Sequence, residues 1–116
     1  MKTYTGACHC GKVKFEAQTD LDMIIEGNCS HCGIKSLLLA FIPASQFKLL
    51  SGEDNLTEYR FNKHVIEHLF CKTCGVQPFG RGTDPKGVTT VALNVRTLKD
   101  VDLKALTITP FDCKSM

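Results

Sequence analysis

The chain has 116 residues, a formal net charge of +2, 43% hydrophobic residues and no tryptophan. This length predicts one domain over residues 1–116, with a single core of modest size. Acidic and basic residues are interspersed, so the sequence predicts no nucleic-acid partner. No apolar run approaches the ~18 residues of a membrane span, and the first residues lack the apolar segment of a secretory signal. We therefore expect a cytoplasmic protein without a membrane partner, whose paired thiols are kept reduced.

Most of the chain has the patterning of strands. Apolar Val13, Phe15 and Ala17 alternate with polar residues, which predicts a half-buried strand. The apolar run at 37–42 ends at Pro43 and predicts a strand buried on both faces.

After a turn cluster at 51–55, β-branched and alternating segments continue the pattern. The remaining predicted segments are strands at 56–61, 64–70 and 88–95, a glycine-rich loop at 80–87, and short helical pieces at 44–49 and 101–106. We predict a mainly β, mainly antiparallel fold.

Six of the seven cysteines fall into three close pairs. The pairs are Cys8 with Cys10, Cys29 with Cys32, and Cys71 with Cys74. One or two residues between two sulfurs is the spacing of half of a tetrahedral zinc site. Two such pairs, brought together from distant parts of the chain, make a closed four-thiolate site.

The first and third pairs are predicted to share one structural zinc. In both, a glycine follows the second cysteine (Gly11 and Gly75) and permits the tight turn of a zinc knuckle. Zinc-finger peptides bind zinc by ~10 kcal/mol or more, so such a clip would contribute much of the folding free energy. The alternatives are unrelated thiols or a redox Cys-x-x-Cys, although the pair at 71–74 lacks the helix start of a thioredoxin-like site.

Taken together, these motifs resemble the glutathione-dependent formaldehyde-activating enzyme family, which also includes centromere protein V. The matching segments are GACHCGKVKF at 6–15, NCSHC at 28–32 and LFCKTCG at 69–75, with Phe79 nearby. The resemblance implies several coiled antiparallel sheets of the β-tent type. It also implies a carbon–sulfur lyase that joins glutathione to formaldehyde as S-(hydroxymethyl)glutathione, or cleaves that adduct.

The resemblance further implies which cysteines hold metal. A structural zinc is implied on the first and third pairs, Cys8, Cys10, Cys71 and Cys74. A second, catalytic zinc is implied on a Cys-x-Cys-x-x-Cys segment, which makes Cys29 and Cys32 the candidate catalytic and metal-binding residues.

The first cysteine of that catalytic segment is replaced here by Gly27. A catalytic zinc ordinarily has three protein ligands and one open position, so the site is one ligand short. Glu26 or His31 could supply the missing ligand, or the metal could be completed by the thiol substrate. In a third interpretation the site is empty, and Cys29 and Cys32 are free thiols or a reversible disulfide.

Several further residues are candidates for substrate chemistry. His64 and His68 have the chemistry of proton donors, although the favoured interpretation is that both are ordinary strand residues. The candidates for contact with glutathione carboxylates are Lys35, Arg60, Lys63 and Arg81, for each of which solvated surface charge is the default. Cys113 is interpreted as a free thiol.

The sequence leaves one alternative to the lyase open. A zinc-stabilised binding module or a glutathione carrier would have the same structural zinc, an incomplete second site and no catalysis. Because formaldehyde reacts readily with thiols, a protein that merely concentrates glutathione would resemble a catalyst. Fold alone does not separate the two, so the Cys29 and Cys32 pair is the discriminating feature.

Overall fold

A computed structural model describes residues 2–27, 30–60, 66–83 and 86–111, with only the backbone described at 27, 30–32, 66 and 111. Strands make up 53% and helices 16% of the structure, which confirms the mainly β prediction. None of the helices in these ranges is long and apolar enough to cross a membrane.

Strands follow one another along the chain with little helix between them. They are β1 (Lys2–Ala7), β2 (Lys14–Thr19), β3 (Ile24–Gly27), β4 (Leu38–Pro43), β5 (Phe47–Ser51), β6 (Leu56–Tyr59), β7 (Ile66–Cys71), β8 (Phe79–Thr83), β9 (Thr89–Asn94) and β10 (Ile108–Phe111). Helical structure in the described ranges consists of α1 (Ser30–Lys35) and 3₁₀ turns at Ala44–Gln46, Glu53–Asn55, Val95–Thr97 and Leu103–Ala105.

Within these ranges the strands form two sheets. The three-stranded sheet has the order β1-β2-β5, and the seven-stranded sheet has the order β10-β3-β4-β9-β8-β7-β6. Neighbouring strands are antiparallel except β10 and β3, which run parallel. These two strands come from opposite ends of the described chain, so no short hairpin constrains their direction.

The core lies between the two sheets. Phe15 of β2 and Phe47 of β5 stack with ring centroids 5.4 Å apart, and Phe79 of β8 contacts both rings at 6.0 and 4.6 Å. Gly6 of β1 makes this packing possible, because a Cβ there would lie 2.3 Å from the Phe15 ring. The predicted alternation in β2 is confirmed, since Phe15 and Ala17 are buried while Lys14 and Gln18 are exposed.

The two faces of the seven-stranded sheet differ sharply. One register row, formed by Leu69, Phe79, Leu93 and Ala40, is fully buried in the core. The next row points to the opposite side, which we call the outer face. It contains Tyr59, His68, Gly80, Ala92 and Phe41 in neighbouring strands.

The sequence predictions differ from the structure in several details. The stretch predicted as a loop begins with β8, a central strand whose glycines suggested a turn. The apolar run in β4 is not buried on both faces, because Phe41 is 53% exposed on the outer face. The six-residue helix α1 was not predicted, since it is too short to show an amphipathic period.

Candidate metal centre

Two distant turns bring four cysteines together at one end of the core. Cys8 and Cys10 follow β1, while Cys71 ends β7 and Cys74 lies in the turn after it. The four Sγ atoms all lie within 4.8 Å of one another, and Cys8 and Cys71 are buried while Cys10 is exposed. This four-cysteine cluster could hold a metal ion.

The spacing of the sulfurs fits a tetrahedral zinc site. Sγ of Cys10 lies 3.6 Å from Sγ of Cys8 and 3.6 Å from Sγ of Cys71. A zinc–sulfur distance of ~2.3 Å requires sulfurs about 3.8 Å apart in a regular tetrahedron. These two separations are within tenths of an ångström of the tetrahedral value, and all four sulfurs lie within 4.8 Å of one another.

The two cysteine turns share one backbone design. The N–H of Cys8 donates to the carbonyl of Val13, and the N–H of Cys71 donates in the same way to that of Val76. Gly11 donates to the carbonyl of Cys8 and Gly75 to that of Cys71, and both glycines have a φ of +82°. Other residues are strained at this φ, so glycine fixes where each turn reverses.

Hydrogen-bond donors surround the sulfurs. The N–H of Val13 donates to Sγ of Cys8 at 3.4 Å, and that of Thr73 donates to Sγ of Cys71 at 3.4 Å. Asn55 adds a side-chain donor, with Nδ2 lying 3.2 Å from Sγ of Cys71. Donors of this kind stabilise thiolates and orient them toward a metal.

These contacts shift the pKa values of the cysteines in opposite directions. Burial raises the pKa of Cys71, but hydrogen bonds from the backbone of Cys74 and Thr73 outweigh burial and bring the pKa down to about 6. A backbone hydrogen bond from Lys12 lowers the pKa of Cys10, yet burial and the neighbouring sulfurs raise it to about 11. Burial also raises the pKa of Cys74, but backbone hydrogen bonds from Cys10 and Val76 bring that pKa below its usual value. The third cysteine pair is thus prepared for ionisation, and a bound cation would displace the remaining protons.

A turn from elsewhere in the chain supports both cysteine turns. The carbonyl of Asn55 accepts from the N–H of Lys72 at 2.9 Å, and Asn55 Nδ2 also reaches Thr73. Gly52, with a φ of +88°, packs so closely that a Cβ would lie 2.4 Å from the carbonyl oxygen of Lys12. The sequence indicated only a turn here, because the contacts of Asn55 arise from tertiary packing.

The second cysteine pair is described only in part. Cys32 belongs to α1 by its backbone, but its side chain and all of Cys29 lie outside the described residues, so their predicted roles stay predictions. Gly27 is the last residue of β3, immediately before this segment. His64, Lys63 and Cys113 also lie outside the described residues.

Beside α1, polar side chains meet on the outer face of the seven-stranded sheet. Lys35 Nζ donates to Oε1 of Gln77 at 2.7 Å and lies 5.2 Å from the ring centroid of Phe70. Burial lowers the pKa of His68, and the positive charge of Lys35 lowers it further. We call Lys35, His68, Phe70, Gln77 and Gly80 the Gln77 cluster.

The two candidate arginines are held by carboxylates. Arg81 Nη2 lies 2.9 Å from Oε2 of Glu67, and Arg60 lies 2.8 Å from Oε1 of the same residue. Arg60 also pairs with Glu58 at 3.2 Å. Lys35, the third described basic candidate, donates to the neutral amide of Gln77.

The chain is similar to known proteins in sequence and in structure. A family model described as glutathione-dependent formaldehyde-activating enzyme matches residues 3–108. The crystal structure of a Rhodobacter sphaeroides protein is similar, with a TM-score of 0.80 and 28% identity over 91% of this chain and 97% of that chain. The matched range includes all three cysteine pairs and both turns of the four-cysteine cluster. The chain therefore belongs to the glutathione-dependent formaldehyde-activating enzyme family.

Proposed function

We propose that the protein is a carbon–sulfur lyase that forms or cleaves S-(hydroxymethyl)glutathione or a related thiol–aldehyde adduct. The family match over residues 3–108 carries this proposal, because it covers nearly the whole chain and every cysteine pair. In the forward direction the thiol sulfur bonds to the aldehyde carbon, and the thiol proton ends on the new hydroxyl group. The partners are glutathione and a small aldehyde.

We further propose that the four-cysteine cluster holds a structural zinc in a single domain of β-tent type. The tetrahedral fit of the sulfurs and the surrounding N–H donors support this assignment. The ion would join the turn after β1 to the turn after β7, and so clip the three-stranded sheet to the seven-stranded sheet. Its four thiolate ligands leave no open position for substrate.

A second zinc is proposed at Cys29 and Cys32, completed by the substrate. With Gly27 in the first ligand position, the chain offers two thiolates there, and the sulfur of glutathione would be the third ligand. A zinc ion so placed supplies Lewis acidity that keeps the glutathione sulfur ionised.

His68 is the described residue best suited to proton transfer. Burial and the charge of Lys35 lower the pKa of His68, which favours the neutral imidazole at neutral pH. A neutral imidazole accepts a proton, so its role is that of a base toward the thiol in adduct formation and of the matching acid in cleavage. The sequence suggested only a proton donor.

A glutathione carrier without catalysis is the second candidate, and the missing cysteine at Gly27 favours it. Both candidates share the structural zinc, so occupancy of the second site separates them. We expect elemental analysis to find one zinc per chain without glutathione and two with it. The Gly27→Cys variant, with the third thiolate restored, is expected to hold two without glutathione.

Two results would contradict the proposal. One zinc per chain in both conditions would leave Cys29 and Cys32 without metal and would favour the carrier. An unchanged zinc content in Gly27→Cys would show that the missing cysteine does not limit the second site. The rate of S-(hydroxymethyl)glutathione formation above the uncatalysed rate, measured on the same samples, then tests catalysis directly.

A further inference from the structure

Gln77 is a buried polar residue with an unused hydrogen-bond donor. Its side chain is 5% exposed, and its Oε1 accepts from Lys35 Nζ at 2.7 Å. Nε2 of Gln77 has no acceptor among the residues that the structure describes. Leaving a buried amide N–H unpaired costs roughly 1–3 kcal/mol, so a partner outside the protein is expected.

The orientation of this amide follows from its partner. A lysine ammonium group only donates, so the atom that it meets must be the amide oxygen. Rotating the amide by half a turn would place the NH₂ group of Gln77 against the ammonium group of Lys35, and both groups only donate. The backbone of Gln77 is fixed as well, because its carbonyl accepts from Nδ2 of Asn94 at 2.9 Å. The NH₂ group is therefore held in place by two residues.

Gly80, which has no side chain, lies beside this NH₂ group. A Cβ built on Gly80 would lie 3.8 Å from Nε2 of Gln77. The φ of Gly80 is not in the left-handed region, so backbone geometry does not require glycine there. His68 is paired with Gly80 in the neighbouring strand and shares the outer face. A Cβ there would also lie 3.2 Å from the carbonyl oxygen of Glu67, so any side chain at this position would crowd the NH₂ group and the backbone of β7.

The chemistry of the Gln77 cluster selects its ligand. Nε2 of Gln77 offers hydrogen-bond donors, and Lys35 contributes a positive charge at 2.7 Å from the same amide. An oxygen that accepts hydrogen bonds and is negatively charged fits this arrangement, and a carboxylate has both properties.

We propose that Gln77 and Lys35 form a subsite for a carboxylate, in which Nε2 of Gln77 donates to one oxygen and the ammonium group of Lys35 supplies the charge. The subsite lies beside α1, the helix that contains Cys32. It deepens the proposed function and rests on it in one respect, namely that glutathione is the source of the carboxylate. The same subsite would also accept a free small carboxylate.

NMR of the side-chain amide of Gln77 tests this directly in the full-length, zinc-loaded protein. The probes are acetate, glutathione, and glutathione diethyl ester, in which both carboxylates are masked. We expect acetate and glutathione to shift the Gln77 ¹Hε and ¹⁵Nε resonances in a saturable way, and the diethyl ester to leave them unchanged. Calorimetry on the same samples gives the affinity for glutathione.

The Gln77→Glu variant removes the donor while keeping the partner of Lys35. The new carboxylate still accepts from Lys35, so folding is expected to survive, and a melting curve checks this. Glutathione is expected to bind about 10–100-fold more weakly, because a charged ligand loses a hydrogen bond and meets a like charge. Gln18→Glu, at an exposed position of β2, is the control with the same charge change and should bind normally.

The outcomes separate the subsite from the proposed function. Equal glutathione affinity in wild type and Gln77→Glu, or equal shifts with glutathione and its diethyl ester, would overturn the subsite and leave the lyase proposal standing. Shifts with acetate but no binding of glutathione would support the subsite and overturn the lyase proposal. No shift of the Gln77 amide with either carboxylate would overturn the subsite and identify its partner as water.

Discussion

The four-cysteine cluster and the Gln77 cluster are both polar sites at the surface of one core. They differ in whether their hydrogen-bonding groups are already paired within the protein. In the first, backbone and side-chain donors from Val13, Asn55 and Thr73 already point at the sulfurs. In the second, the buried amide of Gln77 uses its acceptor and leaves its donor unpaired among the described residues.

This difference separates a structural role from a binding role. A site whose groups are all engaged by the protein has nothing left for a substrate, and its loss is expected to cost stability. A site with an unpaired donor is incomplete in the free protein, and its loss is expected to change affinity while the fold remains. The predictions below test the two sites on these separate readouts.

The largest expected effect is loss of the fold in Cys71→Ser. Domains of this size are stable by about 5–15 kcal/mol, and structural zinc in zinc-finger peptides binds by about 10 kcal/mol or more. Removing one thiolate from the proposed zinc site is therefore comparable with the whole stability. We expect Cys71→Ser to be unfolded or aggregated at 25 °C, as measured by circular dichroism and thermal melting.

Cys29→Ser is the matched control for this substitution. It changes the same atom in the pair proposed for substrate, so the protein is expected to stay folded with a nearly unchanged melting temperature. Equal and small effects of the two substitutions would show that the four-cysteine cluster does not hold the fold together. Equal and large effects would place Cys29 among the structural residues.

The next effect is a weakened metal centre in Asn55→Ala. This change removes the donor that lies 3.2 Å from Sγ of Cys71, and hydrogen bonds to charged groups contribute roughly 1.5–3 kcal/mol. Loss of such outer contacts typically lowers metal affinity about 10–100-fold. We expect zinc to transfer to a chelator correspondingly more readily, while the chain folds normally when zinc is in excess.

Thr73→Val serves as the control for Asn55→Ala. It removes the hydroxyl that accepts from Asn55 at 3.3 Å and from Lys12 at 3.4 Å, but it keeps the backbone N–H that donates to Cys71. Zinc affinity should therefore change much less than in Asn55→Ala. If both variants lose zinc equally, the turn as a whole supports the metal and the contact of Asn55 with sulfur is unimportant.

The same contrast decides how much the sequence could predict. Spacing, together with the glycine that follows each pair, predicts the pairing of Cys8 and Cys10 with Cys71 and Cys74. This is possible because each turn is formed by residues that are close in sequence. Strands with regular alternation, such as β2, are equally visible since one of their faces is buried. Local sequence patterns therefore predict the four-cysteine cluster and most of the strands.

The Gln77 cluster could not be predicted in this way. Lys35 and Gln77 are 42 residues apart, and a glutamine is ordinarily exposed, so nothing in the sequence indicates that this one is buried. Gly80 suggested a turn because glycine is depleted from strands, whereas in β8 it lies close to the backbone of Glu67 and to the amide of Gln77. Long-range packing determines both the burial of Gln77 and its partner.

The smallest effect on stability, and the sharpest test of the comparison, is expected in Gly80→Ala. The added methyl group would lie 3.2 Å from the carbonyl oxygen of Glu67, which is tight, and 3.8 Å from Nε2 of Gln77. Replacing glycine with alanine also stabilises a protein by about 0.4–1 kcal/mol through the unfolded chain, so the two effects on the free energy of unfolding nearly cancel.

Binding should respond to Gly80→Ala much more than stability does. The methyl group would contact the NH₂ group of Gln77 and occupy the space that we assign to a carboxylate, so the acetate-induced shift of the Gln77 amide should disappear. A normal shift would mean that the ligand approaches from elsewhere than Gly80. A melting temperature lower by many degrees would mean instead that glycine is needed here for the packing of β7 against β8. The position would then have a structural role and not a binding role.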